Sequence, residues 1–136
     1  MLRFYKYLYY RLYSWNLNTW GEKDMPQWNA LIGVSFMMFT NFCTVGIVLQ
    51  FFKFINFFFR DEVPKKELIV LMLSIGCFNF FRVISHGKYR EIANSFKKED
   101  KKTKNRNTYL LWLYTIMSFI SFFGLAVLYG KIYPIQ

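Results

Sequence analysis

Histidine occurs once in this chain and cysteine twice, and eight acidic residues face eighteen lysines and arginines. A single histidine excludes a zinc helix built on two of them. Cys43 and Cys77 each stand alone inside a long apolar stretch, where an isolated thiol packs as a small apolar group, and neither has the further ligands that a zinc site requires. The carboxylates lie between the apolar stretches, away from them. A glycine-rich phosphate loop is missing, and so is a Gly-x-Ser-x-Gly turn. Ser85 directly precedes His86, but neighbouring residues on a helix point in different directions, so the two form no nucleophilic dyad. The chain is therefore expected to be non-enzymatic, with no catalytic residue, no cofactor and no metal.

What is present is apolar and aromatic. Aromatic residues make up 23% of the chain, with seventeen Phe and ten Tyr. Such rings suit a bilayer, where Phe fills hydrocarbon while Tyr and Trp sit at the headgroups. The apolar residues are gathered into blocks. Trp28 to Phe52 contains no charge, Leu68 to Ile84 contains only Arg82, and Tyr109 to Gly130 is again uncharged. Roughly 20 apolar residues suffice to cross the hydrocarbon as a helix. At 136 residues the chain makes one folding unit. The expected fold class is all-α: an integral membrane protein with three transmembrane helices and an N-terminal interfacial amphipathic helix. The spans fall at about 28–52, 67–85 and 109–130, within a membrane domain 28–133 that a short tail, 134–136, follows.

The segments between the spans carry the remaining signals. Within residues 1–27, Phe4, Tyr5, Leu8, Leu12 and Trp15 line one side of a helix and Arg3, Lys6, Arg11 and Ser14 the other. That pattern fits a helix lying in the membrane plane, or equally one packed on the protein's own spans. Residues 16–26, with Asn, Gly, Asp and Pro, read as the turn that ends it. Lys53 to Arg60 reads as an interfacial ending and 60–66 as a connection. Pro64 and Glu67 suit the start of the second helix. That helix is short, and Arg82 marks its exit by extending toward headgroups. Beyond it Tyr89, Ile92, Ala93 and Phe96 keep helical spacing, and Gly87 suits a bend. Residues 97–107 hold no apolar side chain and read as a solvated stretch within a basic cytoplasmic loop, 86–107.

Charge sets the orientation. Arg3, Lys6, Arg11 and Lys23 precede the first span, and Lys88, Arg90, Lys97, Lys98, Lys101, Lys102, Lys104 and Arg106 lie in the second connection. Only Lys53, Arg60, Lys65, Lys66 and Lys131 fall on the other side. Cytoplasmic loops carry the excess of Lys and Arg, so the N-terminus is expected in the cytoplasm and the C-terminus outside. The Phe, Tyr, Asn and Lys bias suits a low-GC genome, and the expected location is a bacterial cytoplasmic membrane.

Gly76, Asn79, Arg82 and His86 fall within a helical sector of about 120°. With Asn41 of the first span, Asn79, Arg82 and His86 form a candidate polar membrane face. Gly33, Thr40, Asn41 and Thr44 share one side of the first span, and Ser118 and Ser121 one side of the third. Small and hydroxylic residues let membrane helices approach and bond, so packing is the default role for all of them. The sharper alternative is a pore lined by Asn41 and Asn79, which three helices form only by oligomerising. A third reading is a small transporter or enzyme subunit in which Arg82 and His86 make an anion site.

Lys97, Lys98, Lys101, Lys102, Lys104 and Arg106 are candidate contacts for anionic lipid or an acidic partner. Each juxtamembrane cation is worth about 1 kcal/mol near an acidic leaflet, enough in sum to hold the segment there. Nucleic acid is disfavoured as a partner, because only Tyr89 and Phe96 offer stacking platforms nearby. The leading expectation is an accessory or scaffolding subunit of a membrane complex, with lipid and either like copies or other subunits as partners. The alternative is an oligomeric pore or membrane-disrupting effector of the holin or defence type.

Overall fold

The computed structural model describes residues 3–53 and 65–132, the latter without the Ile132 side chain. Among the described residues it holds five α-helices and no strand. They are α1 (Arg3–Trp20), α2 (Pro26–Phe51), α3 (Lys65–Asn79), α4 (Lys88–Lys97) and α5 (Lys101–Ile132). Among the described residues, three helical stretches are long and apolar enough to cross a membrane: Pro26–Phe51, the bent stretch Lys65–Lys97 and Lys101–Lys131. Each overlaps one of the stretches expected as a span. The expected connection at 60–66 keeps only Lys65 and Lys66, now the first turn of α3; Arg60, Pro64, Tyr133 and Pro134 lie outside the described residues.

α2 is the centre of the molecule. α1, α3 and α5 all pack on it, while α4 packs on α1. Helix α1 runs through Asn16, whose side-chain amide donates to the Leu12 carbonyl at 2.8 Å, and ends only at Trp20. Gly21, at φ 79° and ψ −173°, then adopts a backbone that only glycine takes readily. A short 3₁₀ turn, Glu22–Asp24, delivers the chain to Pro26 in the first turn of α2, where a missing N–H costs nothing. The chain thus reverses and α1 folds back on α2. Contact is close: a Cβ on Gly33 would stand 2.8 Å from Leu12 Cδ1.

Of the two roles open to α1, packing on the protein's own helices describes its contacts. Four consecutive residues, Tyr7, Leu8, Tyr9 and Tyr10, are buried, so α1 is covered on more than the single stripe expected from its pattern. Trp15, expected on the apolar stripe, is exposed. The Tyr9 hydroxyl donates to the Gln27 carbonyl at 3.1 Å, which removes the cost of burying a phenol. Desolvation of that ring, aided by Tyr13 and Tyr89 nearby, raises its pKa, so it stays a neutral donor.

Residues 97–107, expected as a solvated loop, are instead helical from Lys101 onward. Asp100 starts that helix. Its carboxylate accepts the Thr103 backbone N–H at 3.0 Å and its carbonyl accepts that of Lys104 at 2.9 Å, so it caps the first turn of α5. Lys101 and Lys102 in that turn oppose the helix dipole, and the cap with Glu99 beside it offsets them. Upstream, α4 turns its expected apolar side, Tyr89, Ile92, Ala93 and Phe96, into the core formed with α1. Phe96 meets the rings of Tyr7 and Tyr10 at 5.2 and 5.5 Å, and Tyr89 meets Tyr13 at 5.9 Å. Aromatic pairs of this kind add about 0.5–1.5 kcal/mol each beyond the area they bury.

Candidate functional site

Asn41 joins three helices. Its side-chain nitrogen donates to the Tyr114 hydroxyl of α5 and, at 3.4 Å, to the Tyr5 hydroxyl of α1. Its side-chain oxygen accepts the Ser118 hydroxyl of α5 at 2.7 Å, and the two tyrosine hydroxyls lie 3.2 Å apart. Each hydroxyl of this group therefore has a partner inside the chain. Thr40 and Thr44, on the same side of the helix by sequence, close back on their own helix through the Phe36 and Thr40 carbonyls, both at 2.9 Å. Of these three neighbours on α2, Asn41 is the one that bonds across to α1 and α5.

Asn79 serves a different contact. It is 0% exposed, and its side-chain nitrogen donates to Ser35 Oγ at 3.1 Å and lies 3.3 Å from Met38 Sδ, both on α2. Its side-chain oxygen has no partner among the described residues. The amide holds α3 to α2 through one good bond, and leaves one acceptor buried and unpaired.

The expected line from Asn79 to His86 is not continued. A π-helical turn, Phe80–Ile84, follows α3 directly; the extra residue in such a turn lowers the rotation per residue, so Arg82 swings off the Asn79 line. Arg82 is exposed, with its guanidinium carbon 5.4 Å from the centre of the Phe78 ring, a cation–π arrangement. His86 lies in a left-handed conformation at φ 61°, followed by Gly87 at 69°, and these two residues make the bend that frees α4 from α3. The imidazole Nδ1 is 2.6 Å from Ser85 Oγ, in an exposed position: the two side chains, expected to point apart as helix neighbours, meet because the backbone leaves the helix at Ser85 (ψ 130°) and His86. Asn79 therefore faces α2 while Arg82 and His86 face outward. Asn41 and Asn79 bond different partners.

The six candidate cations, Lys97, Lys98, Lys101, Lys102, Lys104 and Arg106, are all exposed. They ride on the end of α4, the turn and the start of α5, and Glu99 fixes that turn. Its two carboxylate oxygens accept the Tyr7 hydroxyl at 3.1 Å and the Asn107 amide at 2.6 Å. Burial is the main reason the Tyr7 phenol is raised above its ordinary value, and Glu99 adds to it. Arg106 and Arg3 share with Glu99 a cavity of about 400 Å³ between α1, α4 and α5.

Three participants carried no signal of their own in the sequence: Tyr114, Ser35 and Glu99. Each acts through a residue distant in the chain, and nothing in local spacing marks such a pair. Among the described residues no three His, Cys, Asp or Glu side chains gather as a metal site would need. Comparison with known protein families, with curated proteins and with solved structures gives no match to this chain.

Proposed function

We propose that this chain is a non-enzymatic integral membrane protein that serves as an accessory or scaffolding subunit of a membrane complex. Insertion is supported by the three apolar helices and by the tryptophans. Trp15, Trp20, Trp28 and Trp112 are all exposed, as rings of an aromatic belt would be. The cations of α4 and early α5 are exposed as well, which suits the cytoplasmic side of a membrane protein. Anionic headgroups are their nearest partners.

The observation that carries the subunit reading is the uneven burial of the three apolar stretches. In the most apolar part of each, α2 is 44% buried, the α3 stretch 17% and the α5 stretch 11%. Asn41, Asn79 and Ser118 bond inside the bundle, whereas α5 presents Leu113, Ile116, Met117, Ile120, Phe123 and Val127 outward. A pore assembled from copies of this chain needs a polar lining, and the faces left for assembly on α3 and α5 are apolar. Such faces suit lipid and the helices of other subunits, which associate by packing.

Photo-crosslinking in the native membrane tests this. A photoreactive residue at Leu113 or Ile120, on the exposed side of α5, should capture an unrelated protein of defined mass. The same residue at Ser118, which faces Asn41, should capture α2 of the same chain. Adducts from the exposed positions that contain only lipid, or only a second copy of this chain, would refute the proposal.

A further inference from the structure

Between α1, α2 and α5 lies a groove of about 600 Å³, within the range of ~300–1,000 Å³ typical of pockets that bind small molecules. Its walls come from Leu8 and Leu12 of α1, Gly33 and Met37 of α2, and Leu111 and Phe119 of α5, with Trp15, Phe36 and Trp112 still exposed along it. Two hydroxyls reach the wall and neither is available to an occupant as a donor: Thr108 bonds the Lys104 carbonyl at 2.7 Å and Thr115 the Leu111 carbonyl at 2.9 Å. The groove is thus chemically a hydrocarbon surface with one exception. Among the described residues, Arg11 is its single charged lining residue and no carboxylate lines it. An occupant that complements it is apolar along most of its length and anionic at one end.

We infer that the groove holds an acyl chain of an acidic phospholipid, whose phosphate pairs with Arg11. The inference rests on the membrane reading above. A guanidinium matches a phosphate with paired hydrogen bonds, and basic pockets between spanning helices on the cytoplasmic side are where acidic headgroups settle. Trp15 and Trp112 set the level, because their rings belong at the boundary between acyl chains and headgroups. The basic surface of α4 and early α5 acts on any acidic lipid, whatever its chain position; the groove adds a fixed seat for one.

Brominated lipids, which quench tryptophan on contact, test the seat. Full-length protein with Trp112 as its sole tryptophan, the other three replaced by Phe, is reconstituted in nanodiscs of phosphatidylcholine containing brominated phosphatidylglycerol or brominated phosphatidylcholine at equal mole fraction. A second protein keeps only Trp28, which lies outside the groove and stacks on Phe80 at 5.6 Å. The acidic lipid should quench Trp112 at a mole fraction about fivefold lower than the zwitterionic one, the ratio expected from one cation at an acidic surface. Trp28 should be quenched by both alike. Arg11→Gln should abolish the preference at Trp112, and Thr115→Phe, which fills the groove, should lower quenching by either lipid. Equal quenching of Trp112 by the two lipids, or a preference that survives Arg11→Gln, would overturn the seat while leaving insertion intact. Absence of quenching at both tryptophans would overturn insertion and the seat together.

Discussion

Replacing Asn41 by Leu should weaken the attachment of α5 to the rest of the bundle. The substitution removes the bonds to Tyr114 and Tyr5 and the acceptor that Ser118 uses at 2.7 Å. Part of this loss is made good locally. Tyr5 and Tyr114 can keep their mutual contact, now 3.2 Å, and Ser118 can turn to its own helix, as Thr115 does toward the Leu111 carbonyl. Interhelical hydrogen bonds in membrane proteins average about 0.6 kcal/mol and reach about 1.7. With two strong bonds at stake, the expected cost is about 1–2 kcal/mol, a factor of about 5 to 30 in the folding equilibrium. Reversible unfolding in mixed detergent micelles, followed by helical circular dichroism, measures it. A double-mutant cycle with Ser118→Ala isolates the pair, and its coupling should fall within the same range of about 0.6–1.7 kcal/mol. Unchanged stability together with a coupling below about 0.3 kcal/mol would show that Asn41 is not committed to α5, and would reopen the case for a pore lined by it.

Asn79→Leu combined with Ser35→Ala should stay within about 1 kcal/mol of the parent or exceed it in the same unfolding assay. Exchanging both partners of a buried bond for apolar groups is nearly neutral, and here it also removes an unpaired acceptor; a loss above about 3 kcal/mol, the scale of a core cavity, would contradict this. The Thr103 hydroxyl and backbone N–H hold the Asp100 carboxyl below its ordinary value. A lowered carboxylate pKa stabilises the fold fully above the ordinary Asp value near ~4, and that contribution disappears as pH falls through the lowered value. Amide protection at Thr103 and Lys104 should therefore drop on acidification, and Asp100→Asn, which caps without titrating, should remove the dependence. Vesicles containing the purified protein alone should retain their ions at every protein density; efflux rising with density would favour the pore.

The three apolar helices were legible because an uncharged run long enough to cross a bilayer needs no partner to be recognised. α1 was legible as a helix but not in its placement, since a stripe of apolar and aromatic residues suits headgroups and a protein groove equally; burial of the consecutive Tyr7 to Tyr10 is a tertiary fact. Residues 97–107 misled because a run with no apolar side chain reads as solvated loop, whereas the cap at Asp100 starts α5 within it. Asn41 and Asn79 could be singled out as polar residues in apolar runs. Their partners could not, because Tyr5, Ser35, Tyr114 and Ser118 reach them from distant parts of the chain. The π turn at Phe80–Ile84 has no composition of its own, so the polar line through Arg82 and His86 looked continuous when it is broken.

The proposal that this chain is a subunit of a larger assembly is tested most directly by the mass of the particle it occupies when native membrane is solubilised without passage through denaturant. Native mass spectrometry should find it in a fixed ratio with at least one unrelated chain, and that particle should survive purification through a tag on either member. A particle made only of copies of this chain, or the chain on its own, would contradict the account.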